Sequence, residues 1–167
     1  RDTLLLEFSS TIMCLILAGK VGSNIASEIG TMRITEQIDA LEIMGVNSAN
    51  YLILPKIVAF VVMMPFLVIF SMGIGLLGGL LVSVFTDIIP PSDYIYGIQY
   101  AFIPFYVTYA IVKSLFFAFI ITSVAAFYGY YAYGGALEVG KASTNAVVNS
   151  SILILLVNLA LTQIMLN

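Results

Sequence analysis

The chain has 167 residues, of which 61% are hydrophobic and only 9% are charged, and its mean hydropathy is +1.09. Soluble domains carry about 25% charged residues, so this chain lacks the polar side chains that would cover a soluble core. The net charge of −3 and the six scattered Lys and Arg residues exclude a nucleic-acid-binding surface. The composition therefore predicts an integral membrane protein.

Residues for catalysis or metal binding are scarce. The chain has no His, its one cysteine is Cys14, and no carboxylates cluster at ligand spacing, so we expect no metal site. The segment from Gly135 to Lys141 has the glycine and lysine spacing of a phosphate-binding loop, but Ala142 stands where Ser or Thr would hold magnesium. We therefore predict no catalytic residue, no cofactor bound by this chain, and no ATP hydrolysis by the chain itself.

Four apolar segments are long enough to cross a bilayer as helices, which takes about 20 residues. The first covers residues 4–30 and the third covers residues 100–127. The second follows Lys56 and is uncharged up to Asp87, and the fourth follows Lys141 and is uncharged to the end of the chain. The sequence predicts an all-α fold, a polytopic bundle of four transmembrane helices.

Small residues recur along the first predicted span at a regular spacing. Three or four positions separate them, which places them on one side of a helix and lets a neighbouring transmembrane helix approach closely. The predicted packing residues are Gly19, Gly22, Ser23, Ala26 and Gly30.

Four charged residues lie inside the predicted spans, where an unpaired charge costs several kcal/mol. Lys20 and Glu28 are two helical turns apart, too far for a direct pair. Lys20 either neutralises a carboxylate elsewhere or extends to the membrane interface. Lys113, near the middle of the third span, is expected to hold helices together or to contact substrate. Glu7, near one end of the first span, either lines a cavity mouth or reaches water.

The distribution of Lys and Arg between the connections predicts the orientation. Arg33, Lys56 and Lys141 lie in or beside the first and third connections, whereas the second, residues 86–96, has neither Lys nor Arg. The positive-inside rule then places the first and third connections in the cytoplasm and the second outside. Arg1 and the C-terminus would both be external, which implies an earlier span in a longer protein.

The first connection contains a short amphipathic segment, residues 34–45, which we predict to be a cytoplasmic helix ending at Gly45. Its apolar face is formed by Ile34, Ile38 and Leu41. Its polar face is acidic, with Glu36, Asp39 and Glu42. Helices that lie on lipid headgroups usually have a basic polar face, so docking against a cytoplasmic protein is favoured over an interfacial position.

The run of residues 18–46 resembles the signature of the MlaE-type permeases, the membrane subunits of ABC lipid transporters that work with MCE proteins. Lys113-Ser114 and residues 149–151 fit the same pattern, so the resemblance covers essentially the whole chain. It implies a homodimeric, multi-pass permease of the cell inner membrane that moves phospholipids between that membrane and the outer envelope. The implied partners are a cytoplasmic ABC ATPase, which would bind ATP and magnesium, a periplasmic MCE protein and often a STAS-domain protein.

The resemblance also implies roles for individual residues. The charged cytoplasmic helix would be the coupling helix seated in the ATPase, with contacts from Glu36, Gln37, Asp39, Glu42 and Met44. The lipid cavity would open outward between two copies near the start of the first span, with Glu7, Phe8 and Lys113 as candidate lining residues. Family members carry Arg-Glu-Leu-Gly-Pro there, and the arginine is absent from Leu6-Glu7-Phe8-Ser9-Ser10.

The same resemblance implies that the chain, residues 1–167, is a single transmembrane permease domain. It would lack the N-terminal interfacial helix and first span of the family, and the intact protein would have five spans. Two other functions remain open from the sequence. One is a membrane scaffold or assembly subunit that moves no lipid, and the other is an ion-coupled secondary carrier that uses Glu28 and Lys113.

Overall fold

The computed structural model of the protein describes residues 2–86, 89–100 and 102–166, with side chains as far as residue 165. Arg1, Asp87 and Asn167, which appear in the sequence predictions, lie outside these residues. The described parts of the chain contain helices joined by short connections and no strand. In chain order the helices are α1 (Leu4–Ile34), α2 (Gln37–Ile43), α3 (Ala49–Thr86), α4 (Pro91–Gln99), α5 (Phe105–Tyr130) and α6 (Ala136–Leu166).

Four of these helices, α1, α3, α5 and α6, are long and apolar enough to cross a membrane. Their number and order confirm the predicted helical bundle with four spans. Large apolar side chains cover much of the outer surface of α3 and α6, which soluble monomers rarely show over such an area. Examples are Val62, Phe66, Phe70, Leu77, Leu156 and Leu159. The protein is therefore a multi-pass membrane protein whose outer faces match a lipid environment.

The short helix of the first connection, predicted to be cytoplasmic, is shorter than expected. Ile34 is the last residue of α1, so its assignment to the second helix was wrong. Glu36 has a φ of 60°, a left-handed conformation that interrupts the helix and turns the chain before α2 begins at Gln37. Gly45, with a φ of 79°, follows α2 at the predicted stop. Apolar spacing continues smoothly through the turn at Glu36 and could not reveal it.

Further boundaries differ from the sequence prediction. The second span begins at Ala49, so Lys56 lies inside it rather than before it. The third span begins at Phe105, not near residue 100. Pro104 immediately precedes the helix, and a proline disfavours the helical conformation of the residue before it. The fourth begins at Ala136, just after Gly134 with its φ of 114°. The Pro90-Pro91 break contains a helix of its own, α4, whose first residue is Pro91, where the missing N–H costs no helical hydrogen bond.

The third span, α5, is the central helix of the bundle. Half of its most apolar 18-residue window is buried, against 11% for the corresponding window of α6. Residues of α5 lie in a central cluster to which all four spans contribute. Its fully buried members are Cys14, Ala18, Met64, Phe117, Ala118, Ile121 and Ile154. Any displacement of α5 therefore changes contacts with every other span.

The small residues of α1 differ in how closely they are packed. A Cβ atom added to Gly22 would lie 3.4 Å from Ile121 Cγ2, and one added to Gly30 would lie 3.2 Å from Val139 Cγ1. Ala26 is fully buried, and the backbone oxygen of Ser23 accepts a hydrogen bond from Ser143 in α6. Gly19 has open space around it within this chain.

Gly129 of α5 lies directly against the backbone of α1. A Cβ atom at this position would lie 2.7 Å from the backbone oxygen of Ala26 and 3.0 Å from Ile29 Cβ. Only a hydrogen atom fits between these helices. The sequence pattern identified the α1 side of this contact but not Gly129, because nothing in α5 itself shows which turn faces α1.

Candidate functional site

A buried ion pair connects the first and third spans. The Lys113 side chain is 0% exposed, and its Nζ lies 2.9 Å from Glu7 Oε1. The same Nζ donates a hydrogen bond to the backbone oxygen of Leu6 at 3.2 Å. The Glu7 side chain is 38% exposed, so one end of the pair approaches the surface of the chain. Sequence reasoning selected both residues separately, and the structure joins them into one site.

The second oxygen of Glu7 extends this site to the fourth span. Glu7 Oε2 accepts hydrogen bonds from Thr11 Oγ1 at 2.9 Å and from Asn158 Nδ2 at 3.2 Å. The Thr11 oxygen also lies 3.2 Å from Asn158 Oδ1, so its single proton is shared between two acceptors. Four polar residues from α1, α5 and α6 thus form one network with no net formal charge.

Aromatic and hydroxyl groups complete the network around Lys113. The ammonium lies 4.8 Å from the ring centroid of the buried Tyr109, within the range of a cation–π contact. The Tyr109 hydroxyl lies 2.8 Å from Thr162 Oγ1, which donates to the backbone oxygen of Asn158. Among the described residues, no buried side-chain nitrogen or oxygen lacks a hydrogen-bond partner. The positive charge is therefore compensated from several directions.

Thr11, Tyr109, Asn158 and Thr162 were not selected from the sequence. The sequence prediction used only the charged residues inside the spans, and these four residues are uncharged. A side-chain amide inside an apolar span could have indicated the network, because such groups usually form hydrogen bonds between helices in membranes. Asn158 fits that description.

Phe8, the third candidate for the lipid cavity, lies apart from the ion pair. Its ring is exposed, and it lines an apolar groove of about 210 Å³ between α1 and α3. Ile12 and Ile16 follow it along the same face of α1, and Ser71 and Gly75 form part of the opposite wall. The groove has the apolar lining that an acyl chain requires, whereas Glu7 and Lys113 lie outside its lining.

The other two charges of the first span lie toward its second half. Glu28 Oε2 is 2.7 Å from the Nζ of Lys56 in α3, and both side chains are partly exposed. Lys20 is exposed on the outer surface of α1. Glu28 and Lys113, the pair required by the ion-coupled carrier, are thus engaged with different partners, Lys56 and Glu7.

Helix α2 is held on the bundle by one buried apolar residue and three side-chain hydrogen bonds. Ile38 is fully buried in a cluster with Ile29 of α1 and Ala126 of α5. Asp39 accepts a hydrogen bond from Arg33 at 2.9 Å. Glu42 Oε1 accepts one bond from Ser48 and one from Tyr130, each at 2.9 Å. Those two bonds, the one from Ser48 most of all, lower the pKa of the Glu42 carboxyl below its ordinary value.

The candidate ATPase-coupling residues therefore fall into two groups. All five are exposed, and Asp39 and Glu42 also form side-chain hydrogen bonds within the chain. Met44 is 69% exposed, and its neighbour Ile43, which the sequence reasoning did not include, is 87% exposed. Two adjacent apolar side chains open to the surface at the end of an acidic helix form a surface suited to a protein partner.

Sequence comparison identifies the family. The profile described as Permease MlaE matches residues 1–164. The chain belongs to the MlaE permease family. A relative from Rickettsia bellii, named a probable ABC transporter permease protein, is 43% identical over 95% of this chain and 61% of its own length.

More distant members of the MlaE family span bacteria and plants. A probable ABC transporter permease protein of Synechocystis is 36% identical over 95% of this chain and 60% of its own length. The chloroplastic protein TRIGALACTOSYLDIACYLGLYCEROL 1 of Arabidopsis thaliana is 32% identical over 94% of this chain and 45% of its length. The chain thus spans about three-fifths of the length of the bacterial relatives it matches.

Proposed function

We propose that this chain is the permease part of an ABC transporter that moves phospholipids between the inner membrane and the outer envelope. A separate cytoplasmic ATPase, which binds the ATP and magnesium, docks on α2 and drives the movement. Membership of the MlaE family and the permease names of the relatives support this proposal. Two copies of the chain, a periplasmic MCE protein and a STAS-domain protein complete the proposed assembly.

The observation that carries the proposal is the construction of α2. A helix of only seven residues, Gln37–Ile43, has little stability of its own. Here Ile38 anchors it to two spans, while Ile43 and Met44 are directed outward. A short helix fixed on one side and apolar on the other can transmit a force applied by a docked subunit into the bundle.

The lipid-handling half of the proposal rests on two neighbouring features of α1. The groove beside Phe8 provides an apolar surface for an acyl chain. The adjacent network of Glu7 and Lys113 holds α1, α5 and α6 together by polar contacts at that level of the bundle. We propose that movement of α5 changes the packing beside the groove and so drives lipid into or out of the cavity between two copies.

The decisive experiment is co-purification of the intact protein from its native membrane. Met44→Glu combined with Glu36→Lys changes the exposed end of α2 without altering Asp39 or Glu42. Asp93→Lys in α4, near the connection predicted to be external, serves as the matched charge reversal. We expect an ATPase to co-purify with the wild type and with Asp93→Lys and to be lost from the α2 variant.

Two results would favour the other functions. Phospholipid movement in liposomes by the protein without an ATPase would support the ion-coupled carrier. A bound ATPase without any phospholipid movement on addition of ATP would support the scaffold.

A further inference from the structure

Three polar side chains meet where α2, α3 and α5 come together on the side of the first and third connections. Glu42 belongs to α2, Ser48 immediately precedes α3, and Tyr130 is the last residue of α5. The Tyr130 and Ser48 hydroxyls each donate to Glu42 Oε1 at 2.9 Å and lie 3.0 Å from each other. Hydrogen bonds to a carboxylate are about twice as strong as those between neutral groups. The contact therefore connects α2 to α5 through two residues, Glu42 and Tyr130, that are 88 positions apart in sequence.

Arg33, in the last turn of α1, reinforces the same junction. Its guanidinium donates to Asp39 of α2 at 2.9 Å, and its central carbon lies 5.4 Å from the ring centroid of Tyr130. Tyr130 is thus held through both its ring face and its hydroxyl. Tyr130 also packs against the buried cluster that contains Ile38, so a tilt of α2 on the bundle would disturb its contacts with Tyr130.

The helix that ends at Tyr130 also contains Lys113. The two residues are 17 positions apart on one helix, which corresponds to about 25 Å at a rise of about 1.5 Å per residue. No proline interrupts α5. By contrast, α3 contains Pro65, and α1 contains π-helical turns over Ala18–Gly22, features that often bend or kink helices. Of the three helices that meet α2, α5 is therefore the most continuous connection to the buried ion pair.

We infer that Tyr130 is a positioning residue that links α2 to α5, so that movement of α2 reaches the Glu7–Lys113 network through the third span. The inference rests on the proposed function, because a docked ATPase supplies the movement. It assigns the transmission to α5 rather than to α1 or α3, the two spans that flank α2 in sequence.

The test measures phospholipid moved per ATP hydrolysed by the intact transporter reconstituted in liposomes. Tyr130→Phe removes the hydroxyl and keeps the ring beside Arg33, so the bundle should fold. We expect co-purification with the ATPase and ATP hydrolysis to be retained, while lipid moved per ATP falls about tenfold, the factor for one charge-assisted hydrogen bond. Tyr131→Phe, at the adjacent and 68% exposed tyrosine, should leave the ratio unchanged.

A double-mutant cycle separates this role from general damage. Glu42→Gln should lower the same ratio, and the double variant Glu42→Gln with Tyr130→Phe should lose no more than the larger single effect. Additive losses, or an unchanged ratio for Tyr130→Phe, would overturn the inference. If wild-type protein recruits no ATPase, the proposed function itself fails, and the inference fails with it.

Discussion

Lys113 and Glu7 form one ion pair, but their surroundings differ. The lysine side chain is fully buried, whereas the glutamate is partly exposed and has two further donors, Thr11 and Asn158. Removing the glutamate leaves a cation without access to water, which costs about 3–5 kcal/mol in buried pairs. Removing the lysine leaves a carboxylate that is partly exposed and still accepts hydrogen bonds from Thr11 and Asn158. The two residues are therefore not equivalent in their contribution to stability.

This asymmetry predicts the ranking of two variants. Glu7→Gln should lower the free energy of unfolding more than Lys113→Met, and the double variant should recover part of the loss because no charge remains buried. Thermal unfolding of the purified protein in detergent measures the ranking. Equal losses for the two single variants would show that Lys113 reaches water or another anion in the membrane.

Glu42 gives the junction at α2 a defined pH dependence. Two hydrogen bonds lower the pKa of its carboxyl below the ordinary value of 4.5, and the bond from Ser48 has a larger effect than the bond from Tyr130. A group whose pKa is lower in the folded state stabilises that state when the pH is above the pKa of the unfolded state. The contribution is lost as the pH falls through the lowered pKa of the folded state. The stabilisation should therefore be constant at neutral pH and be lost only below 4.5.

The comparison of wild type with Glu42→Gln tests this dependence. The wild type should have the higher melting temperature at neutral pH, and the difference should shrink only as the pH falls below 4.5. Asp93→Asn, a carboxyl removed from α4, serves as the control for acid effects elsewhere. A difference that grew on acidification would contradict the assignment of the two hydroxyl donors.

At the scale of the helices, Gly129 is a point where α5 lies directly against the backbone of α1. Gly129→Ala would place a methyl group against the backbone of Ala26, which cannot move as a side chain can. We expect a loss of about 1–3 kcal/mol in unfolding free energy, as for other overpacked sites. Gly19→Ala is the matched control, because no atom lies within 4 Å of its added carbon and alanine favours helix. A lower melting temperature for Gly19→Ala in the dimer alone would indicate a contact between copies there.

The same contacts show how far the sequence could be interpreted. Long apolar runs predicted the four spans, because exposure to lipid requires such runs whatever the neighbouring helices are. The bonds between Glu7 and Lys113 and between Glu42 and Tyr130 join residues 106 and 88 positions apart. No local pattern encodes which helices meet, so pairings of this kind were not predicted. The sequence pointed to Glu36 because of its charge. It did not predict the left-handed backbone conformation of Glu36, which sets the start of α2.

At the scale of the molecule, the two ends of the bundle carry different chemistry. The predicted cytoplasmic connections, the first and the third, do lie at one end, since Glu42 contacts Tyr130 there. Helix α4 packs on α3, where the Tyr94 hydroxyl donates a hydrogen bond to the backbone oxygen of Leu76. This arrangement agrees with the distribution of Lys and Arg and places α2 where a single docked subunit can reach both connections.

The energy source is the property of the whole molecule that most sharply separates the proposed transporter from an ion-coupled carrier. A carrier that uses Glu28 must bind and release the coupling ion there in each cycle, so Glu28→Gln, which removes the charge, would abolish its transport. In the structure Glu28 forms a partly exposed pair with Lys56, which is worth about 0–1 kcal/mol. For the ATP-driven transporter we therefore expect Glu28→Gln to keep phospholipid movement within about twofold of wild type. The measurement uses liposomes that contain the ATPase, with and without an ionophore that removes ion gradients. Transport that continues with the ionophore and in Glu28→Gln but stops without ATP supports the permease. Transport that is lost with the ionophore or in Glu28→Gln supports the carrier.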